Sequence, residues 1–275
     1  MKPASYLLPR HWPVPYDEAA ADRLIERFRA IGPTTTRLLK VPGALPMLRS
    51  LGGNSPYLGA LALRESDTVR RVVTEGPDLA FADVLACLGH ISPASTRPDV
   101  AAALRQAKRA AALIVAIADV GGSWPLETVT GALSELAEAT LRLGIGHLLR
   151  SAHDARDIRL QDANRPEFNC GFVALAMGKL GAAELNYSSD IDLILLYDGT
   201  APVYAGGRVA DSIGSFTSRL ARDLITLMEA RDANGYVFRT DLRLRPDPAA
   251  TPPAISLEAA LTYYEAMGQN WDGRV

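Results

Sequence analysis

Two carboxylates one residue apart, Asp190 and Asp192, open an apolar run within GFVALAMGKLGAAELNYSSDIDLILLYD, residues Gly171 to Asp198. In a strand, side chains at i and i+2 share a face with Cα atoms ~6.5–7 Å apart, close enough for both carboxylates to reach one pair of divalent cations. Hard oxygen ligands of this kind favour Mg²⁺ over softer metals. By itself the D-x-D pattern also fits a solvated strand end or turn, because like charges on one strand face repel unless a cation or basic group lies between them. The residues upstream bear on that choice. Gly171 to Met177 reads as a short buried strand that runs into Gly178, Lys179 and Gly181. A glycine at such a corner lets backbone amides approach a phosphate, and a lysine beside it supplies charge. A phosphate site facing a metal site suits nucleotidyl transfer.

Two carboxylates alone leave a pair of cations under-ligated. The segment YVFRTDLRLRP, Tyr236 to Pro246, alternates: Phe238, Thr240, Leu242 and Leu244 form one face, and Arg239, Asp241, Arg243 and Arg245 the other. One reading is an edge strand with a surface ladder of Arg and Asp, which contributes little stability. The other makes Asp241 the third metal ligand, with the neighbouring guanidiniums holding phosphate oxygens.

Positioning these residues requires a sheet with helices packed on it. Before the site, the pattern is helical: Asp17 to Ile31, the shorter Pro46 to Leu51, Tyr57 to Leu63 and Asp78 to Leu88, then the long Pro98 to Val120 and Pro125 to Arg150. Their apolar spacings are those of core packing. Ser151 to Asn169 is polar and reads as a connection. Strands follow at Phe172 to Met177 and Ile191 to Tyr197, a helix from Arg208 to Arg231, and a strand from Tyr236 to Arg245. The expected fold class is α+β: an all-α domain over residues 1–158, then a domain with a small mixed sheet over residues 159–275. No internal repeat or low-complexity tract interrupts this order.

The 275 residues are 48% hydrophobic and 22% charged, the composition of an ordinary globular protein. A net charge of -2 gives no general basic field, which argues against nucleic acid as a partner. Cys87 and Cys170 both sit in apolar flanks and are expected to be buried, reduced thiols, with a disulfide between them as the alternative; two cysteines are too few for a zinc site. The first twenty residues lack a signal-peptide core and no run has the length of a membrane span, so the expected compartment is the cytoplasm. His11, His90, His147 and His153 are scattered and are assigned no catalytic role, and Trp12, Trp124 and Trp271 read as packing residues.

Gly178-Lys179 followed by Asp190-Ile-Asp192 resembles the signature of the nucleotidyltransferase superfamily. The longer string MGKLGAAELNYSSDIDLILLY is similar to the glutamine synthetase adenylyltransferase/adenylyl-removing enzyme family. RTDLRLRP at Arg239 to Pro246, YYEAMGQNW at Tyr263 to Trp271 and GNSPYLGALALRE at Gly53 to Glu65 match further motifs of that family. The resemblance implies a nucleotidyltransferase fold and two homologous catalytic halves, of which the N-terminal one removes AMP from a tyrosine of glutamine synthetase by phosphorolysis, giving ADP. The C-terminal half attaches AMP from ATP. ELNYSSDIDL resembles the N-terminal copy, so the implied activity is adenylyl removal, dependent on Mg²⁺ held by Asp190, Asp192 and Asp241. Gly178, Lys179, Ser188, Ser189, Arg239, Arg243 and Arg245 are then the expected nucleotide and phosphate contacts. Glutamine synthetase, ATP or ADP, phosphate and a PII signal protein are the implied partners.

Two departures from the family pattern stand out. Many superfamily members carry Gly-Ser where this chain has Gly178-Lys179, so the serine role passes to Lys179, Ser188, Ser189 or backbone amides. The chain also stops at Val275, where the family continues, which leads to the expectation of a truncated product. Three alternatives accompany the main reading: AMP attachment, a fragment that only docks on glutamine synthetase or a PII protein, and a nucleotidyltransferase for RNA ends or small molecules. The last would call for a basic surface with interleaved aromatics, and aromatic content is 7%. Glu184 is read either as a residue that tunes the site or, as is commoner in a short helical segment, as a solvated or capping residue, and Asn186 and Tyr187 as residues that shape the turn.

Overall fold

The computed structural model describes residues 7–9, 11–209 and 211–266. The start of the N-terminal segment, the last part of the YYEAMGQNW motif with Trp271, and the end of the chain lie outside the described residues. The order is α1 (Glu18–Ile31), α2 (Pro33–Leu38), α3 (Ala44–Asn54), α4 (Pro56–Arg64), α5 (Ser66–Glu75), α6 (Pro77–Gly89), α7 (Arg97–Val120), α8 (Leu126–Asp154), β1 (Phe172–Ala176), α9 (Gly178–Gly181), β2 (Ile191–Tyr197), α10 (Ile213–Glu229), β3 (Thr240–Asp241), β4 (Ala254–Ser256) and α11 (Leu257–Ala266). This is an α+β fold, as the sequence implied. Among the described residues no helix is long and apolar enough to cross a membrane.

Two compact units result. One holds the residues up to Cys87 together with Gln106–Leu133; the other holds Leu88–Arg105 together with the residues from Ser134 onward. α7 and α8 thus supply residues to both, and the division falls inside helices rather than at the polar segment 151–169.

In the first unit, the Asp17 carboxylate accepts the Ala20 N–H at 2.8 Å and caps α1, which buries Ala21, Leu24, Ile25 and Phe28 at helical spacing. α1 packs on α3, where a Cβ at Gly52 would lie 2.6 Å from Leu24 Cδ2, so only glycine permits that approach. α5 buries Val69, Val72 and Val73. Arg109 pairs with Glu65 at 2.6 Å, both largely buried. Trp124 is a packing residue: it meets the Phe81 ring edge-on and donates Nε1–H to Asp78 at 2.9 Å. Lys108, half-buried on α7, is desolvated enough to pull its pKa down to about 8. Cys87 departs from expectation, because it is exposed. It lies in the last turn of α6 beside Ala86, turned outward while Leu88 turns in, and apolar flanks do not say which way a helical side chain faces.

The second unit is built around β2, whose sequence IDLILLY is buried at five of its seven positions, the mark of a central strand. β1 pairs with it antiparallel from Phe172↔Tyr197 to Ala176↔Leu193; β3 pairs in parallel at its start and β4 in parallel at its end. Ile194, Leu196, Ile255 and Ala260 form a cluster in which α11 meets β2 and β4, with Met177 packed against it. α10 packs against β3 and β4. Cys170 is buried as expected, and burial pushes its thiol pKa up.

Two expected boundaries change. The helix read from Arg208 starts at Ile213, because Arg208 is held outside it by Ala155 O at 2.6 Å and Asp157 Oδ1 at 2.7 Å. The strand read over Tyr236 to Arg245 pairs only at Thr240–Asp241. Its continuation is ended by the Asp241 side chain, which takes the Arg243 N–H at 2.8 Å, and by a turn in which Arg245 N–H donates to Leu242 O at 3.3 Å. Side-chain capture of a backbone N–H two residues on is the competitor that removes asparagine and aspartate from ladders.

Candidate active site

Asp190 immediately precedes β2 and Asp192 lies within it, on the face that Ile194 and Leu196 continue into the apolar cluster. Asp241 enters from β3 as the register partner of Asp192. Paired strands run about 4.8 Å apart, which brings the two carboxylates to one place from distant points in the sequence. The Met177 N–H donates to Asp192 O at 2.9 Å, tying the turn after β1 to the same strand. Gly178 opens α9 with φ +53°, and a Cβ there would stand 2.9 Å from Asp192 Oδ2. Glycine therefore keeps open the space beside that carboxylate.

Together Gly178, Lys179, Ser189, Asp190, Asp192, Arg239, Asp241 and Arg243 line a cleft of about 480 Å³. Arg239 pairs through Nε with Asp190 and donates Nη2–H to Ser188 O at 2.6 Å. Arg243 grips Asp241 with Nε 3.0 and 2.8 Å from its two oxygens. The Asp192 carboxyl is pushed up, first by burial and then by the charges of Asp241 and Asp190; Arg243 holds Asp241 below the usual carboxylate range.

Of the residues singled out from the sequence, Ser188 and Arg245 do not reach the cleft lining. Ser188 takes the left-handed conformation (φ 53°) in the turn where the Ser189 N–H donates to Asn186 O at 3.2 Å, and it offers Arg239 its carbonyl. Arg245 is engaged elsewhere: its Nη1 and Nη2 bond to the carbonyls of Leu242, Pro248 and Thr251 at 2.8, 2.8 and 3.2 Å, holding a loop. Glu184 stays outside the lining as well. Among the described residues no three His, Cys, Asp or Glu side chains stand assembled around a metal position. Asp190 and Asp241 are instead turned to their arginines. The donors still fit a hard divalent cation: three carboxylates share one cleft, Asp192 is crowded by the charges of Asp241 and Asp190, and Gly178 leaves room beside it.

One residue near the site was not read from the sequence. Glu229, at the end of α10, accepts both the N–H and the hydroxyl of Thr240, each at 2.7 Å. A signal existed, since an acid in the last turn opposes the helix dipole and calls for a partner.

A sequence model of the glutamate-ammonia ligase adenylyltransferase family matches residues 45–274. The chain belongs to that family. It is similar to proteins named bifunctional glutamine synthetase adenylyltransferase/adenylyl-removing enzyme. One from Bradyrhizobium sp. (strain ORS 278) is 41% identical over 230 residues, covering 83% of this chain and 23% of the relative. One from Xanthobacter autotrophicus is 36% identical over 277 residues, covering 98% and 28%. One from Brucella suis is 42% identical over 221 residues, covering 79% and 22%. The glutamate-ammonia ligase adenylyltransferase match includes every cleft residue, and the chain spans about a quarter of the length of these curated relatives.

Proposed function

We propose that this chain removes AMP from an adenylylated tyrosine of glutamine synthetase by phosphorolysis, releasing ADP. The observation that carries the reading is the register of Asp192 with Asp241 in a cleft that also holds Asp190 and Gly178-Lys179, within a chain of this family. The choice of removal over attachment rests on ELNYSSDIDL, which resembles the N-terminal copy of the family. The relatives' printed name covers both directions. The proposed setting is the cytoplasm, with residues 159–275 as the catalytic domain, residues 1–158 as its helical lead-in, and a PII signal protein as a regulatory partner.

Asp190, Asp192 and Asp241 would hold Mg²⁺. Bound there, Mg²⁺ supplies charge neutralisation at the phosphoryl oxygens and at the departing phenolate. Lys179 supplies a cation for the incoming hydrogen phosphate. Arg239 and Arg243, once released from Asp190 and Asp241, present guanidinium forks to phosphate oxygens. A phosphate oxygen attacks the α-phosphorus, the bond to the tyrosine oxygen breaks, and the proton of hydrogen phosphate ends on the phenol, which balances ADP and free tyrosine as products. Ser189 and the backbone of the Gly178 turn offer further donors at the rim.

The deciding experiment incubates the chain with adenylylated glutamine synthetase, Mg²⁺ and phosphate, and separately with unmodified glutamine synthetase and ATP. ADP in the first arm alone is the expected result. Pyrophosphate in the second arm alone reverses the direction, and neither product rejects catalysis by this chain.

A further inference from the structure

We infer that Glu229 is a positioning residue for the Asp241 carboxylate, acting through Thr240. The inference rests on the reading of Asp241 as a metal ligand. β3 is two residues long, and so short a pairing cannot by itself hold a side chain still. On the side of β2, the Ile191 N–H donates to Arg239 O at 2.9 Å and fixes the residue before Thr240. On the other side, Thr240 sends both its N–H and its Oγ1–H to Glu229 Oε1, each at 2.7 Å. The carboxylate takes the place that the carbonyl of a further strand would hold.

The clamp is itself anchored. Met228 O accepts the N–H groups of Val237 and Phe238 at 3.0 and 3.2 Å, so the end of α10 grips the segment that leads into β3. Arg105, 6% exposed, donates to Ala230 O at 2.8 Å and to Gly235 O at 3.1 Å, which fixes the turn between α10 and that segment. Asp241 follows Thr240 by one peptide unit, so freedom gained at Thr240 is passed directly to Asp241. An acid at the negative end of the α10 dipole is unfavourable, and two charge-assisted hydrogen bonds offset it. The geometry asks for an oxygen acceptor at this reach: glutamine supplies one, aspartate is a methylene short, and alanine has none.

The test compares the full chain with its E229A, E229D, E229Q and T240V variants. Three quantities are measured: Mn²⁺ affinity by calorimetry, hydrogen exchange of the Thr240 amide in the metal-free protein, and ADP release from adenylylated glutamine synthetase. E229A and E229D should weaken Mn²⁺ binding by about 10- to 100-fold, as lost support behind a metal ligand commonly does. They should also expose the Thr240 amide to exchange while the helical signal stays intact. E229Q should recover most of both losses, and T240V, which keeps the N–H donor, should fall between. Parental Mn²⁺ affinity and Thr240 protection in E229A overturn the inference. Where E229A does not fold, E229Q decides: loss as full as in E229D means that charge near the metal, rather than the hydrogen bonds, is what matters. D241N separates the two ideas. Mn²⁺ binding indifferent to D241N removes the reading of the site, whereas binding that needs Asp241 but ignores E229A removes only the positioning role.

Discussion

Asp192 and Asp241 sit directly beside each other across the parallel pairing of β2 and β3, and their environments pull them in opposite directions. Burial and neighbouring charge raise the pKa of Asp192, while Arg243 lowers that of Asp241. One carboxylate is thus short of positive charge and the other already supplied with it, a division that a shared cation would even out.

Substituting asparagine for Asp192 should therefore have opposite effects on activity and stability. ADP release should fall on the order of 10²-fold or more, the scale of losing a main electrostatic contact in a transition state. Thermal stability should hold or rise, because a crowded charge has been removed. Turnover assays and melting curves on the same preparation check both, and near-parental turnover would count against the site.

Arg243 should oppose metal binding while assisting phosphate. R243Q frees Asp241, so Mg²⁺ or Mn²⁺ should bind more tightly, while the KM for phosphate should rise. Titrating each ligand separately against the parent and R243Q chains reads the two effects.

Gly178→Ala should cost about 1–2 kcal/mol, the penalty for a side chain in left-handed backbone. It should also displace the Asp192 carboxylate, whose oxygen would stand 2.9 Å from the new Cβ. Urea denaturation gives the first quantity and Mn²⁺ affinity the second.

Arg105→Met should be more damaging to stability than any of these. It leaves the Ala230 and Gly235 carbonyls without their guanidinium donor, a loss of about 2–4 kcal/mol by urea denaturation.

Lys108 yields a pH dependence. Its folded pKa of about 8 lies below the ordinary 10.5, so between those values the unfolded chain binds more protons than the folded one. Stability attributable to this group rises as pH climbs through that window. K108M lacks the penalty, and near neutral pH it should be more stable than the parent by roughly 1–3 kcal/mol. Denaturation midpoints of both chains from neutral to alkaline pH should show the gap closing.

What was legible in the sequence followed from spacing. A largely apolar run from Ile191 to Tyr197, a glycine corner and a helical lead-in are local patterns, and they located Asp190, Asp192, Gly178 and Lys179. Alternation over Tyr236 to Arg245 identified Asp241 but overstated its strand, because the capture of the Arg243 N–H by Asp241 is a side-chain event that alternation does not record. α5 was not foreseen, as its valines and threonines carry low helix propensity and are held by packing. β4 was not foreseen either, since three residues become a strand only by pairing with β2. Glu229 required the partner, Thr240, to be brought beside it from eleven residues away.

The way α7 and α8 divide between the two units bears on how the chain can be shortened. A piece cut at the polar segment 151–169 would keep every cleft residue yet discard Arg105, which braces the turn after α10, and Ser134, whose hydroxyl accepts the Leu185 N–H at 3.1 Å. The compact unit that holds this cleft is consequently discontinuous in the sequence. A trimmed expression clone should open before residue 88, or else fuse Leu88–Arg105 to the segment from Ser134 through a designed link.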